Sequence, residues 1–452
     1  MIVAYLLLFT SLRDSLIPVI SLNRQESLGE RVHRRRRLLR ISQVELAGTR
    51  LDDSYVSLIE NDKRYPPPRV VVFLAERLRC SVEYLETGIS DERVAELRTM
   101  VGYARIVLEN GDANEAVRQF VEALADLDLS LFPGLVDEAR RGHARALEAN
   151  GDLAGAVTAL RDLISAVDAT DTPDRWCDLH IGLCRCLREL GDENESIRVG
   201  EAALRRLTDV REGPWTDAMV MLGSTILAAY GTRGDLMYAR YLASRLICEA
   251  DANGHPRARM AAHWNAAEVA MASGDAGEAL RLATTALALL GEEDDPRNMG
   301  RLRTAYGYFL LSAEPAEAGR ARHILRQAER ELAASSASTV DMAWCLTVAA
   351  RAELILDCAA EAVALAEHAI TLLNGTDGLA LAEAYTVLAN AWVRLRRHDA
   401  AVTALDHAAG YLTATGRQAA QVWYEMAGVR AAAHDTNGQA AALRYAMACM
   451  GV

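Results

Sequence analysis

Residues 150–160 read NGDLAGAVTAL, and the same signature returns on either side: NGDANEAVRQF at 110–120, LGDENESIRVG at 190–200, RGDLMYARYLA at 233–243 and SGDAGEALRLA at 273–283. Glycine adopts the left-handed backbone that ends a helix, aspartate caps the next helix, and the small residue four positions on lets two helices cross closely. Followed outward, the small residue marks Ala116, Ala156, Ser196, Ala239, Ala279, Ala318, Ala362, Ala401 and Ala440, at spacings of 40, 40, 43, 40, 39, 44, 39 and 39 residues. Each unit is therefore a helical hairpin that cannot bury its apolar stripe alone and must stack on its neighbours. Twelve positions before each small residue stand Ala104, Ala144, Cys184, Ala267, Ala350, Ala389 and Gly428, with Leu227 and Tyr306 breaking this second column.

The array accounts for most of the 452 residues. Aromatic residues make up 6% and prolines number ten, and β-branched alternation is absent, so the whole chain is predicted to be all-α. The eight cysteines (80, 177, 184, 186, 248, 345, 358 and 449) form no C-x-x-C pair, which predicts buried free thiols and a reducing compartment. Residues 2–12, IVAYLLLFTSL, are too short to span a membrane, and neither a basic start nor a small-residue cleavage site accompanies them. Residues 1–23 are expected to be a mobile extension, and the protein is expected in the cytoplasm.

Charge is segregated along the chain. The formal net charge is −13, yet Arg24 to Arg79 hold 13 basic against 8 acidic residues, and residues 80–452 hold 35 against 53. A basic head on an acidic body suits a polyanion-binding module carried by a scaffold that itself avoids phosphates. Within the head, five short amphipathic segments are predicted. Leu28, Val32, Arg35, Leu38 and Leu39 define the first, and Ser42 caps the second, Gln43–Ala47. Asp52 or Asp53 caps a third carrying Val56, Ile59 and Glu60, and the rest run from Arg69 to Arg79 and onward from Val82. The arginine run 34–37 circles a helix axis, so one or two of its members are expected near phosphate and the rest in water.

The stretches SLGERVHRRRRLLRISQVELA, SYVSLIENDKR and FLAERLRCSVEYLETG resemble the lambda-repressor-like helix-turn-helix domains of the xenobiotic-response-element type, over about 60 residues. The resemblance implies a DNA-binding domain at 24–90. Gln43 would meet phosphate or a base edge, Ser54, Tyr55 and Ser57 would lie in the major groove, and Asn61, Lys63 and Arg64 would grip phosphate. Asp53 belongs to the same surface, where it either accepts from cytosine N4 or caps its helix. Glu60 would brace the domain internally. The turn between the second and third helices is one residue shorter than is usual in that family, and Asp62 stands where glycine is frequent.

Residues 91–452 resemble tetratricopeptide repeats in a longer form of about 40 residues, about nine hairpins forming an α-solenoid. In that family the first helix of each unit lines the concave side. Eleven residues before the small residues stand Arg105, Arg145, Arg185, Ala228, Glu268, Gly307, Arg351, Asn390 and Val429. An inward ladder of Arg105, Arg145, Arg185 and Arg351 would suit carboxylates, and Asn265 and Asn390 would hold an extended peptide backbone. The same arginines could instead pair with Glu109, Glu148 or Glu189. Gly102, Gly142 and Gly182 would leave room beside the ladder.

No phosphate-binding loop, nucleophile elbow or zinc-binding H-E-x-x-H occurs, the histidines are scattered, and 292–295 reads as a solvated acidic loop. No enzymatic activity, metal or cofactor is expected. Head and body together are similar to peptide-pheromone-responsive transcriptional regulators, in the alanine- and arginine-rich style of actinobacteria. That resemblance implies a homodimer on a palindromic operator of double-stranded DNA, regulated by a short peptide or other small effector and involved in quorum sensing. The rival reading is a protein-interaction scaffold whose head is a dimer contact or weak DNA tether.

Overall fold

Among the described residues there is helix and no strand. The structure, a computed structural model, describes residues 26–169, 172–210, 213–289, 296–335, 338–374, 378–412 and 417–450. The expected extension at 1–23 and the acidic loop at 292–295 lie outside them. Two compact units divide the chain, 1–143 and 144–452.

Five short helices open the first unit: α1 (Leu28–Leu38), α2 (Gln43–Ala47), α3 (Asp53–Glu60), α4 (Pro68–Leu78) and α5 (Val82–Thr87). Side-chain caps set most of their starts. Ser27 and Ser42 each form reciprocal capping boxes, with Glu30 and Glu45, Ser81 caps α5, and Pro68 occupies the first turn of α4. Asp52, not Asp53, caps α3. Val32, Leu46, Val56, Leu74, Leu78 and Leu85 close over one core. Gly29 lets α1 and α3 touch, since a Cβ there would lie 2.1 Å from the Ile59 carbonyl oxygen.

The expectation for α1 is corrected at two places. Leu38 is 67% exposed, and the arginine run divides, with Arg34 and Arg37 exposed and Arg35 and Arg36 turned inward. Arg36 is buried, and Arg35 donates from Nε to the Leu78 carbonyl (3.1 Å) and from Nη2 to that of Arg79 (2.8 Å). Arg31, just upstream, donates to the carbonyls of Leu85 and Glu86 at 2.8 Å each. The carbonyls left open at the ends of α4 and α5 thus draw guanidinium groups inward.

Nine hairpins follow among the described residues: α6 (Asp91–Glu109) and α7 (Ala113–Ala125), α8 (Pro133–Ala149) and α9 (Leu153–Ser165), α10 (Pro173–Glu189) and α11 (Glu193–Val210), α12 (Asp217–Arg233) and α13 (Leu236–Asn253), α14 (Pro256–Ala272) and α15 (Ala276–Leu289), α16 (Pro296–Ser312) and α17 (Ala318–Ala333), α18 (Thr339–Ile355) and α19 (Ala359–Leu373), α20 (Gly378–Arg394) and α21 (His398–Tyr411), α22 (Arg417–Ala432) and α23 (Thr436–Cys449). The turn chemistry is as the sequence implies. Gly111, Gly151, Gly191, Gly234 and Gly274 have φ between 79° and 90°, and Asp112, Asp152, Asp192 and Asp275 accept capping bonds from the backbone three residues on. Asp235 makes no such bond and pairs with Arg233 instead.

A backbone bond fixes the register of each hairpin: the N–H of the residue capping the second helix donates to a carbonyl in the last turn of the first. It spans five residues in eight hairpins, for example Asp112 to Val107 and Asp435 to Arg430, but seven in the sixth, where Glu317 reaches Leu310. Two extra loop residues there, and a shift of one residue in the ninth hairpin, correct the columns. Ala321 takes the place expected for Ala318, and Gln439 that of Ala440, which is exposed. On the first helices Gly307 replaces Tyr306 and Ala427 replaces Gly428. A Cβ on Gly307 would lie 2.7 Å from Leu325 Cδ2. The corrected first-helix column is small in every hairpin but the fourth, where Leu227 is fully buried. Ser196 fits among the alanines because its hydroxyl donates to the Cys184 carbonyl (2.8 Å) while the Cys184 thiol donates back to its own (3.2 Å).

In the second unit one apolar core runs from Ala169 to Ala352, and another from Ala350 to Ala446. All eight cysteines are free thiols; 177, 184, 186 and 345 are buried, 248 and 358 exposed, and 80 and 449 half-buried. No described helix is long and apolar enough to cross a membrane.

Candidate functional site

Glu60 organises the head. Its carboxylate is 8% exposed and accepts from Arg36 Nε (2.5 Å) and Nη2 (2.8 Å) and from Gln43 Nε2 (2.8 Å), with His33 Nδ1 at 2.9 Å. Burial alone would push this carboxyl up, but the hydrogen bonds from Arg36, His33 and Gln43 outweigh it and hold the group at about 2. The hub ties α1, α2 and the end of α3 together, so the orientation of α3 is set from inside the module. Glu60 is the internal brace that the sequence implied.

Around that hub the candidate contacts separate into two sets. Asp53, Ser54, Asn61, Lys63 and Arg64 are exposed; Gln43, Tyr55 and Ser57 are half-buried. Gln43 has its amide engaged by Glu60. Ser54 donates from its hydroxyl to Asp52 Oδ1 at 2.6 Å, and Asn61 Nδ2 donates to the Ser57 carbonyl at 2.7 Å. The Arg64 guanidinium sits 5.4 Å from the centre of the Tyr55 ring, within cation–π range, which links the basic loop to the helix face. Arg37, Arg40 and Arg50 are also exposed, and the sequence reading did not single them out as contacts. Arg37 belongs to the run at 34–37, and only the charge count of the segment pointed to Arg40 and Arg50.

The array presents two different kinds of inner surface. Toward its start the expected ladder is largely spent on ion pairs. Arg105 lies 3.3 Å from Glu138 and 3.8 Å from Glu109, and Arg185 Nη2 donates to Glu148 at 2.7 Å. Arg145 is exposed and makes no ion pair among the described residues. The glycines do not clear space for a ligand as a set: a Cβ on Gly142 would collide with the Phe120 ring and one on Gly182 would touch Leu160, so both serve helix packing. Only Gly102 has open space beside it.

Toward the end of the array the concave face becomes a channel. The register correction places Tyr308, not Gly307, and Gly428, not Val429, in the inward column. A cavity of about 540 Å³ is lined by Tyr308, Arg351, Asn390, Arg394, Glu425 and Gly428 among others. One of about 260 Å³ shares Tyr308, Arg351, Gln421 and Glu425 with it and adds Glu383 and Gln418. A third, of about 480 Å³, carries Tyr308, Gln418 and Gln421 on to Thr232, Asn265 and Glu268. Here Gln418 and Gln421 of α22 share a cavity with residues of α12, α14 and α16. Arg351 Nη2 donates to Glu425 at 2.7 Å; enclosure alone would lower the arginine's pKa, but Glu425 outweighs it and raises it. Asn265 Nδ2 donates to the Ala261 carbonyl at 2.8 Å, leaving its side-chain oxygen to accept. No group of three or more metal-binding side chains occurs among the described residues.

No family model matches the chain, and no curated protein does. Solved structures do. A Rap protein complexed with Competence and Sporulation Factor is similar at 11% identity with a TM-score of 0.53, over 79% of this chain and 98% of its own. The apo form of RapI is similar at 12% and 0.50, over 78% and 97%. PlcR of Bacillus thuringiensis, solved with the peptide PapR7 and DNA, matches at 14% over 68% of this chain and 95% of its own, with a TM-score of 0.32 that is too low to add to the fold assignment. At these identities the likeness is one of fold, and the fold is an all-α array of helical hairpins.

Proposed function

We propose that this chain is a sequence-specific DNA-binding transcriptional regulator. In this reading, the five-helix lambda-repressor-like head at 24–90 reads duplex DNA, and the tetratricopeptide-like array at 91–452 senses a short peptide in its channel. The working form is a cytoplasmic homodimer on a palindromic operator, without catalytic activity. The observation that carries the reading is the exposed polar and basic edge of α3 and its following loop, Ser54, Asn61, Lys63 and Arg64, in a segment whose formal charge is opposite to that of the rest of the chain. A short helix braced from within by Glu60 and edged with donors suits entry into a major groove, with the loop on phosphate.

Effector occupancy would act by shifting the array between two states that hold the paired heads at different separations; a few kcal/mol of differential affinity suffices for such coupling. The similar Rap protein is complexed with Competence and Sporulation Factor, which supports an effector-binding role for the array. Changing Arg64 to Ala tests the phosphate role. Affinity for every duplex should fall together, and the slope of log affinity against log salt should flatten by about one. An unchanged slope removes Arg64 from the phosphate contacts.

A further inference from the structure

One cavity of the channel carries a carboxylate without an ion-pair partner among the described residues. Glu268 is the sole charged residue lining the cavity of about 480 Å³, beside Thr232, Asn265, Tyr308, Gln418 and Gln421. Its carboxylate accepts one hydrogen bond, from Trp264 Nε1 at 3.1 Å, and no cation of the described residues stands within ion-pair distance; Arg188 and Arg301 act on it only from further away. In the adjoining cavities Arg351 is paired with Glu425. Glu268 is exposed to the cavity, and enclosure by the surrounding helices pushes its carboxyl upward.

An exposed carboxylate without a counter-charge, set in a cavity whose other lining groups are amides, a hydroxyl, a phenol and apolar side chains, focuses a negative potential there and is electrostatically complementary to a cation. We infer that the Glu268 cavity is the subsite for the cationic group of the effector, a primary ammonium or a guanidinium. The proposal rests on the peptide-sensing reading above and reverses the charge expected from an arginine ladder. Glu268 supplies the counter-charge, and the Asn265 side-chain oxygen is a neutral acceptor for the remaining N–H groups. In a peptide the cation is either the free N-terminus or a Lys or Arg side chain, and both carry the same chemistry into the site.

The test uses the full chain equilibrated with an equimolar pool of random hexapeptides, prepared once with free and once with acetylated N-termini, and reads the composition of the retained peptides by mass spectrometry. The wild type should enrich cationic peptides at least about tenfold over neutral ones, and Glu268→Gln, which keeps an oxygen for Trp264, should abolish that preference. Glu278→Gln removes the same charge from an exposed pair with Arg281 and should leave the selection unchanged. Enrichment that survives acetylation assigns the subsite to a side chain, and enrichment lost on acetylation assigns it to the N-terminus; each supports the proposal. Retained peptides without a cationic preference, or a preference unaltered in Glu268→Gln or lost equally in Glu278→Gln, overturn the subsite and leave the peptide reading standing. Retention of no peptide by the wild type overturns both.

Discussion

The head gathers arginine inward around one hub, whereas the array, which also buries Arg430 against Asp406 and Asp435, repeats an exposed pair. In the head, guanidinium groups turn inward: Arg36 is held against buried Glu60, and Arg31 and Arg35 close the carbonyl ends of α5 and α4. In the array one motif recurs at the starts of second helices, Glu115 with Arg118, Glu195 with Arg198, Glu278 with Arg281 and Glu317 with Arg320, each pair three residues apart and open to solvent. A buried charged hub concentrates stability and geometry in a few groups, whereas exposed pairs contribute little each and can be lost singly. The head therefore holds one fixed shape, and the array can alter its packing by small steps between neighbours.

The sharpest way to break this contrast is Glu60→Ala, which leaves Arg36 buried without its counter-charge. It should cost about 3–5 kcal/mol and abolish hydrogen-exchange protection over 28–87 while protection over 144–450 persists. Acid probes the same group without mutation. The Glu60 carboxyl is held at about 2, below its usual 4.5, so its stabilisation is complete above about pH 4.5 and is lost as pH falls toward 2. The loss is on the order of 3 kcal/mol, and head protection should fall in that window in the wild type and not in Glu60→Gln. Overfilling an array crossing with Ala389→Leu should cost about 1–3 kcal/mol, felt in α20, α21 and adjacent helices, and leave the head unchanged. Arg198→Ala should shift the thermal midpoint least, by an amount corresponding to about 0.5 kcal/mol. A larger effect there than at Glu60 would invert the comparison.

How far the sequence could be read follows the same division. The Asn-Gly-Asp turns announced the hairpins because a left-handed glycine and a capping aspartate are local requirements. In the last three hairpins the left-handed position is held by Asp357, Arg396 and His434, so the turn signal fades although the fold does not. The two extra residues in the sixth loop moved Gly307 into the place read as Tyr306, because constant spacing cannot register a loop that lengthens. In the head, the caps and the brace at Glu60 were legible, but burial of Arg36 and exposure of Leu38 were not, since residue type argued the reverse for both. The channel was the least legible. Gln418 and Gln421 share a cavity with Glu268 only through the winding of the array, and no periodicity in the chain marks that meeting.

The central claim is that the head reads duplex DNA, and the most direct measurement is selection of bound duplex fragments by the full chain at low ionic strength, repeated at rising salt. The account predicts that the selected fragments share a motif with two inverted halves about one helical turn apart, with affinity falling steeply as salt rises. Fragments no different from the input would contradict it.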